Sequence, residues 1–124
     1  MPDFHERPLV YVAGPYSSNP KANVVATIHV ANELQDSGLV TCLIPHLNML
    51  WHETTPMPDE HWYEHDLALL ARCDAVYRIE GYSPGADVEE LFAGDRGIPV
   101  FRRANALYGW ASDCLDVFDV LGER

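Results

Sequence analysis

Two hydrophobic periods divide this chain. The run Arg7-Pro8-Leu9-Val10-Tyr11-Val12-Ala13 is almost continuously apolar and stops at Gly14-Pro15, as a strand buried on both faces does. Leu39 to Ile44, Asp74 to Ile79 and Ile98 to Phe101 read as three further strands. Between them the period becomes helical. Asn19-Pro20 supplies an N-cap and a first helical position, and Val24, Thr27, Ile28, Ala31 and Leu34 follow at helical spacing until Ser37-Gly38. A second helix is predicted from Asp59 to Arg72. A third runs from the Ser83-Pro84 start to about Asp95, and the tail helix is placed at Trp110 to Leu121. Residues 45–58 hold three prolines and read as a loop, long enough in a small domain to suggest function.

Strands alternating with helices predict an α/β domain spanning residues 1–124, with helices on both faces of a parallel sheet. Right-handed crossovers favour the strand order 2-1-3-4, a flavodoxin-like or Rossmann-like layout. The order reverses between strands 1 and 3, so a ligand site is expected beyond their C-terminal ends. The loops there are Gly14 to Asn19 and Glu80 to Gly85.

The net charge of −11 argues against a nucleic acid polymer as partner, because such binding rests on Lys and Arg at phosphates. A helix N-terminus can still hold one small anion. No apolar run is long enough to span a bilayer and no signal peptide is evident, so a cytoplasmic protein without a membrane partner is expected. The three cysteines, Cys42, Cys73 and Cys114, lack the spacing of a disulfide framework or a metal knuckle.

Three places carry candidate chemistry. Asp66 stands near the centre of the stripe formed by Trp62, Leu69, Leu70 and Cys73, where a carboxylate is costly to bury. It reads either as an acid satisfied by a backbone group or Arg72, or as a carboxyl facing the cleft. Glu89 lies at the edge of a helical face assigned to Val88, Leu91, Phe92 and Asp95, whose apolar members are expected to face the sheet. It reads either as a solvated glutamate or as a group at the mouth of the sheet, beside Gly85. Tyr11 is either a core aromatic or a hydroxyl aimed at the cleft. In the adjoining loop Gly14-Pro15-Tyr16-Ser17-Ser18, the serines can bond a sugar or phosphate, or cap their own turn. His61 and His65 have a zinc-compatible spacing but no evident third ligand, so no metal site is assigned.

Three segments together resemble the nucleoside 2-deoxyribosyltransferase superfamily, which includes deoxynucleoside 5′-monophosphate N-glycosidases. They are Tyr11-Val12-Ala13-Gly14-Pro15-Tyr16-Ser17, the stretch from His65 to Val76, and Ser83-Pro84-Gly85-Ala86-Asp87-Val88-Glu89. The resemblance implies Glu89 as a nucleophile on the anomeric carbon. It implies Asp66 as the acid that protonates the leaving base or orients the nucleophile, and Tyr11 as the group that tunes Glu89. Gly14 matches the glycine after the first strand, and Ser83 the serine that helps hold a phosphate. Pro15, Tyr16, Ser17 and Gly85 complete the expected substrate site. The resemblance also implies a homodimer or larger homo-oligomer, and no cofactor.

The expected function is cleavage or transfer at the N-glycosidic bond of a (deoxy)nucleoside or its 5′-monophosphate, hydrolysis and base exchange being equally open. The alternatives are a non-catalytic nucleotide-sensing module on the same fold and an interaction protein using its acidic surface.

Overall fold

A computed structural model describes residues 2–120, and side chains up to residue 116. Strands β1 (Leu9–Ala13), β2 (Thr41–Leu43), β3 (Ala75–Arg78) and β4 (Val100–Phe101) form a parallel sheet in the order β2-β1-β3-β4. This is the predicted α/β architecture. Tyr11 stands in register with Leu43 on one side and Val76 on the other.

Side chains along β1 point alternately to the two faces, and the core divides accordingly. Val10 and Val12 pack with Leu34 of α1 (Pro20–Asp36) and with Leu107 and Ala111 of α5 (Ala104–Val120). Tyr11 and Ala13 pack with Leu70 of α3 (Asp59–Leu70) and with Ala86 and Ala93 of α4 (Pro84–Asp95). The odd positions of β1 are thereby committed to the α3–α4 face.

Both predicted N-caps form: the Asn19 side chain accepts from the Ala22 amide and Ser83 Oγ from the Ala86 amide. Gly38 follows α1 with φ of 76°, a conformation that favours glycine. Among the described residues no helix is long and apolar enough to cross a membrane.

Three expectations are corrected. Residues 45–58 are largely helical: Pro45 opens a 3-10 turn, Pro45–Asn48, which runs into α2 (Met49–Thr54). Pro45 stands where its missing N–H costs nothing, and Pro56 and Pro58 follow the helix rather than interrupt it. The tail helix begins at Ala104, six residues before Trp110, because Leu107 and Ala111 belong to the core; its expected end at Leu121 lies outside the described residues.

The third correction is the face of α4. Val88 and Leu91 are 52% and 69% exposed, whereas Ala86 and Ala93 are buried and Phe92 packs beside them. Polar satisfaction sets this rotation. Arg78, only 4% exposed at the end of β3, pairs with Asp87 and Glu90, and the buried Tyr11 hydroxyl pairs with Glu89. Meeting those groups turns Val88 and Leu91 outward, since an unpaired buried guanidinium costs more than two exposed aliphatic side chains.

Candidate active site

Beyond the C-terminal ends of β1 and β3 lies a cavity of about 540 Å3. Its floor comes from the loops after these strands and the first turns of α4; its other walls come from the 3-10 turn, α2 and α3. The position is the one expected from the strand order.

Glu89 and Asp66 both line this cavity. Tyr11 does not: it is fully buried behind Glu89, and its hydroxyl donates a short hydrogen bond to Glu89 Oε2. Tyr11 is therefore at once a core aromatic and a polar partner at the cleft. Burial is the main reason the Glu89 carboxyl is pushed up to about 7. The Tyr11 hydrogen bond and the Arg78 charge pull it down, while the Asp66 charge adds to the rise. Burial and the nearby Glu89 carboxylate hold the Tyr11 hydroxyl far above the usual phenol range, so it remains a donor.

Asp66 is bonded neither to Arg72 nor to a backbone group. Its Oδ1 accepts from Asn48 Nδ2 at 2.9 Å and from His65 Nδ1 at 3.2 Å, while Arg72 donates to the Ala68 carbonyl. Burial raises the Asp66 carboxyl, and the His65 and Asn48 contacts partly offset that. His65 also packs edge-on against Trp51 and Trp62, and His61 against Trp62. The two histidines are thus part of an aromatic cluster around Trp62, whose indole N–H donates to His52 Nδ1 at 2.7 Å.

Of the expected substrate-binding residues, Gly14, Tyr16, Ser17, Ser83 and Gly85 line the cavity, and Pro15 does not. Pro15 instead braces the floor. A Cβ at Gly81, where φ is 131°, would lie 2.8 Å from Pro15 Cγ, and one at Gly14 would lie 3.0 Å from Ile79 Cβ. The chain therefore packs closely at both glycines, and at Gly81 the backbone conformation itself favours glycine. His46, one turn beyond β2, fixes the same loop: its Nε2 donates to the Pro15 carbonyl at 2.9 Å and its ring meets Tyr16 edge-on. Burial lowers the His46 pKa, which keeps the ring neutral, and Nδ1 is left buried without a hydrogen-bond partner.

Sequence reasoning missed His46, Asn48, Met49, His52 and Tyr82 as cavity residues, and Arg78 as the cation behind Glu89. Arg78 could have been found, since a lone charge in an otherwise apolar strand demands partners. Tyr82 stands in the Glu80–Gly85 loop already expected at the site, and the others lie on a segment whose approach to the sheet depends on tertiary packing.

The model of a domain family of unknown function, DUF4406, matches residues 8–102, from the start of β1 to just past β4. The chain belongs to this family. The DUF4406 region thus includes the whole sheet and every residue placed in the site above. No curated protein matches the chain. Among solved structures it is similar to a 2-deoxyribosyltransferase from the psychrotolerant bacterium Bacillus psychrosaccharolyticus. The identity is 18%, covering 74% of this chain and 69% of that one, with a TM-score of 0.47.

Proposed function

We propose that this protein cleaves or transfers at the N-glycosidic bond of a (deoxy)nucleoside or nucleoside 5′-monophosphate, with Glu89 as nucleophile. The observation that carries this reading is the buried Tyr11–Glu89 pair at the edge of a cavity that Asp66 also lines. Breaking an N-glycosidic bond passes through an oxocarbenium-like state, which a carboxylate on one side captures. Glu89 Oε bonds to the anomeric carbon as the bond from that carbon to the base nitrogen breaks. The bonding pair leaves with the base, which takes a proton from the Asp66 carboxyl. Burial favours the protonated form of Asp66 and the Tyr11 hydrogen bond favours the ionised form of Glu89, the directions that an acid and a nucleophile need. The Asp66 carboxylate then takes a proton from water, whose oxygen displaces Glu89 and releases the sugar. A second base in place of water gives exchange.

The same reading includes assembly of like subunits, consistent with the exposed Leu47, Leu50 and Trp51 beside the cavity wall. The test is incubation with a panel of nucleosides and 5′-monophosphates, with and without an acceptor base, followed by chromatography. Released or exchanged base that disappears in Glu89→Gln is the expected result. Binding of nucleosides without turnover under all conditions would favour the sensing module instead.

A further inference from the structure

The cavity is charged on one side of the ledger only. Among the described residues, Asp59, Asp66 and Glu89 line it and no Lys or Arg does. Close behind it, Arg78 is already held by Asp87, Glu90 and the carbonyls of Ile79 and Gly81. Of the histidines, burial lowers the His46 pKa, His52 Nδ1 accepts from the Trp62 indole, and His65 contacts Asp66 Oδ1 at 3.2 Å without being among the lining residues. The remaining wall is rich in aromatic side chains, with Tyr16, Trp62, Tyr63 and Tyr82 all contributing. Carboxylates and π faces both favour the same kind of guest.

We infer that the preferred substrate is a nucleoside whose base carries a fixed positive charge, such as a pyridinium or N-alkylpurinium nucleoside. This inference rests on the N-glycosidic reading of the site. Two carboxyl groups raised by burial and, at Glu89, by mutual repulsion are what a cationic guest relieves, since its charge stabilises both ionised forms. The chemistry also becomes simpler. Glu89 Oε bonds to the anomeric carbon, the bond from that carbon to the positively charged ring nitrogen breaks, and its electron pair neutralises the base. The base leaves without needing a proton. Water then displaces Glu89 and gives its proton to the Asp66 carboxylate.

The test uses a matched pair on the intact protein: nicotinamide riboside, a pyridinium cation, and its neutral dihydro form, with ordinary purine and pyrimidine nucleosides alongside. Titration calorimetry at pH 8 gives affinity at low and high salt, and chromatography gives base release. The cation is expected to bind about tenfold more tightly than the dihydro form, a difference of about 1.4 kcal/mol. Added salt is expected to weaken the cation and leave the neutral form unchanged. Equal or weaker binding of the cation overturns the inference, and if neutral nucleosides are cleaved in that case the N-glycosidic reading survives it. Tighter, salt-sensitive binding of the cation without cleavage of any nucleoside would uphold the charge preference and remove the glycosidic reading. No binding by any compound overturns both.

Discussion

The Tyr11 hydroxyl and the Glu89 carboxylate are hydrogen-bonded across 78 positions of sequence, joining the central strand to the helix that follows β3. The bond exists because odd positions of β1 face α4, and because α4 is rotated to bring Glu89 inward between Ala86 and Ala93. It favours the ionised form of Glu89, so removing it has a predictable sign.

In Tyr11→Phe the Glu89 carboxyl is expected to hold its proton to higher pH. Wild-type activity should rise as pH passes through about 7, when Glu89 ionises. In the variant that limb should move up by about one unit, the worth of a hydrogen bond to a charged group. A pH–rate profile checks this. A uniform loss of rate with an unmoved limb would give Tyr11 a purely structural part.

Glu89→Gln is expected to lower base release by more than about 10³-fold while the fold persists. It should also alter stability in a known direction. The Glu89 pKa is raised on folding from 4.5 to about 7, so the folded state keeps a proton that the unfolded chain has already released. The resulting stabilisation is complete below 4.5 and is lost as pH rises through about 7. Gln titrates nowhere in this window. Relative to the wild type, the variant should therefore gain stability between those pH values, by roughly 3 kcal/mol at most. Denaturant unfolding of both proteins at several pH values measures it.

Asp66→Asn should reduce activity on neutral nucleosides by about 10²–10⁴-fold, the usual worth of a general acid. Stability should stay the same or increase at neutral pH, because burial is the largest influence on this carboxyl and asparagine keeps an acceptor for Asn48. Thermal melts read the outcome; a large drop in Tm would show that the Asp66 contacts with His65 and Asn48 are structural.

Charge should also limit the phosphate chain of the substrate. The first turn of α4 and the Ser83 hydroxyl reach the cavity, and a helix N-terminus contributes about 0.3–2 kcal/mol toward an anion. With no Lys or Arg in the lining among the described residues, that supports one phosphate and not three. Catalytic efficiency should therefore be highest for nucleosides or monophosphates and should collapse for triphosphates and oligonucleotides. Ser83→Ala should narrow any advantage of the monophosphate and cost about 1 kcal/mol of stability through the lost cap.

The sheet was legible because its signals are local. Apolar runs bounded by Gly14-Pro15 and Ser37-Gly38, together with two N-cap and proline pairs, define the strands and crossovers, and chirality does the rest. The α4 face was misread because apolarity was weighed without the needs of Arg78 and Tyr11. The tail helix was started late, although Leu107 and Ala111 already stood at helical spacing. Residues 45–58, which include the cavity wall from Pro45 to Thr54, were read as a loop because their three prolines suggested disruption, whereas Pro45 opens a turn and Pro56 and Pro58 follow the helix. Asn48 reaching Asp66, and His46 reaching Pro15, depend on how that wall folds over the sheet, which no local pattern encodes.

The contact between Gly81 and Pro15 limits what position 81 can hold. Any side chain at position 81 would have to adopt a φ of 131° and occupy space within 2.8 Å of a rigid proline ring. Removing the ring at 15 would relieve the contact but not the dihedral, so glycine at 81 is held by two separate constraints.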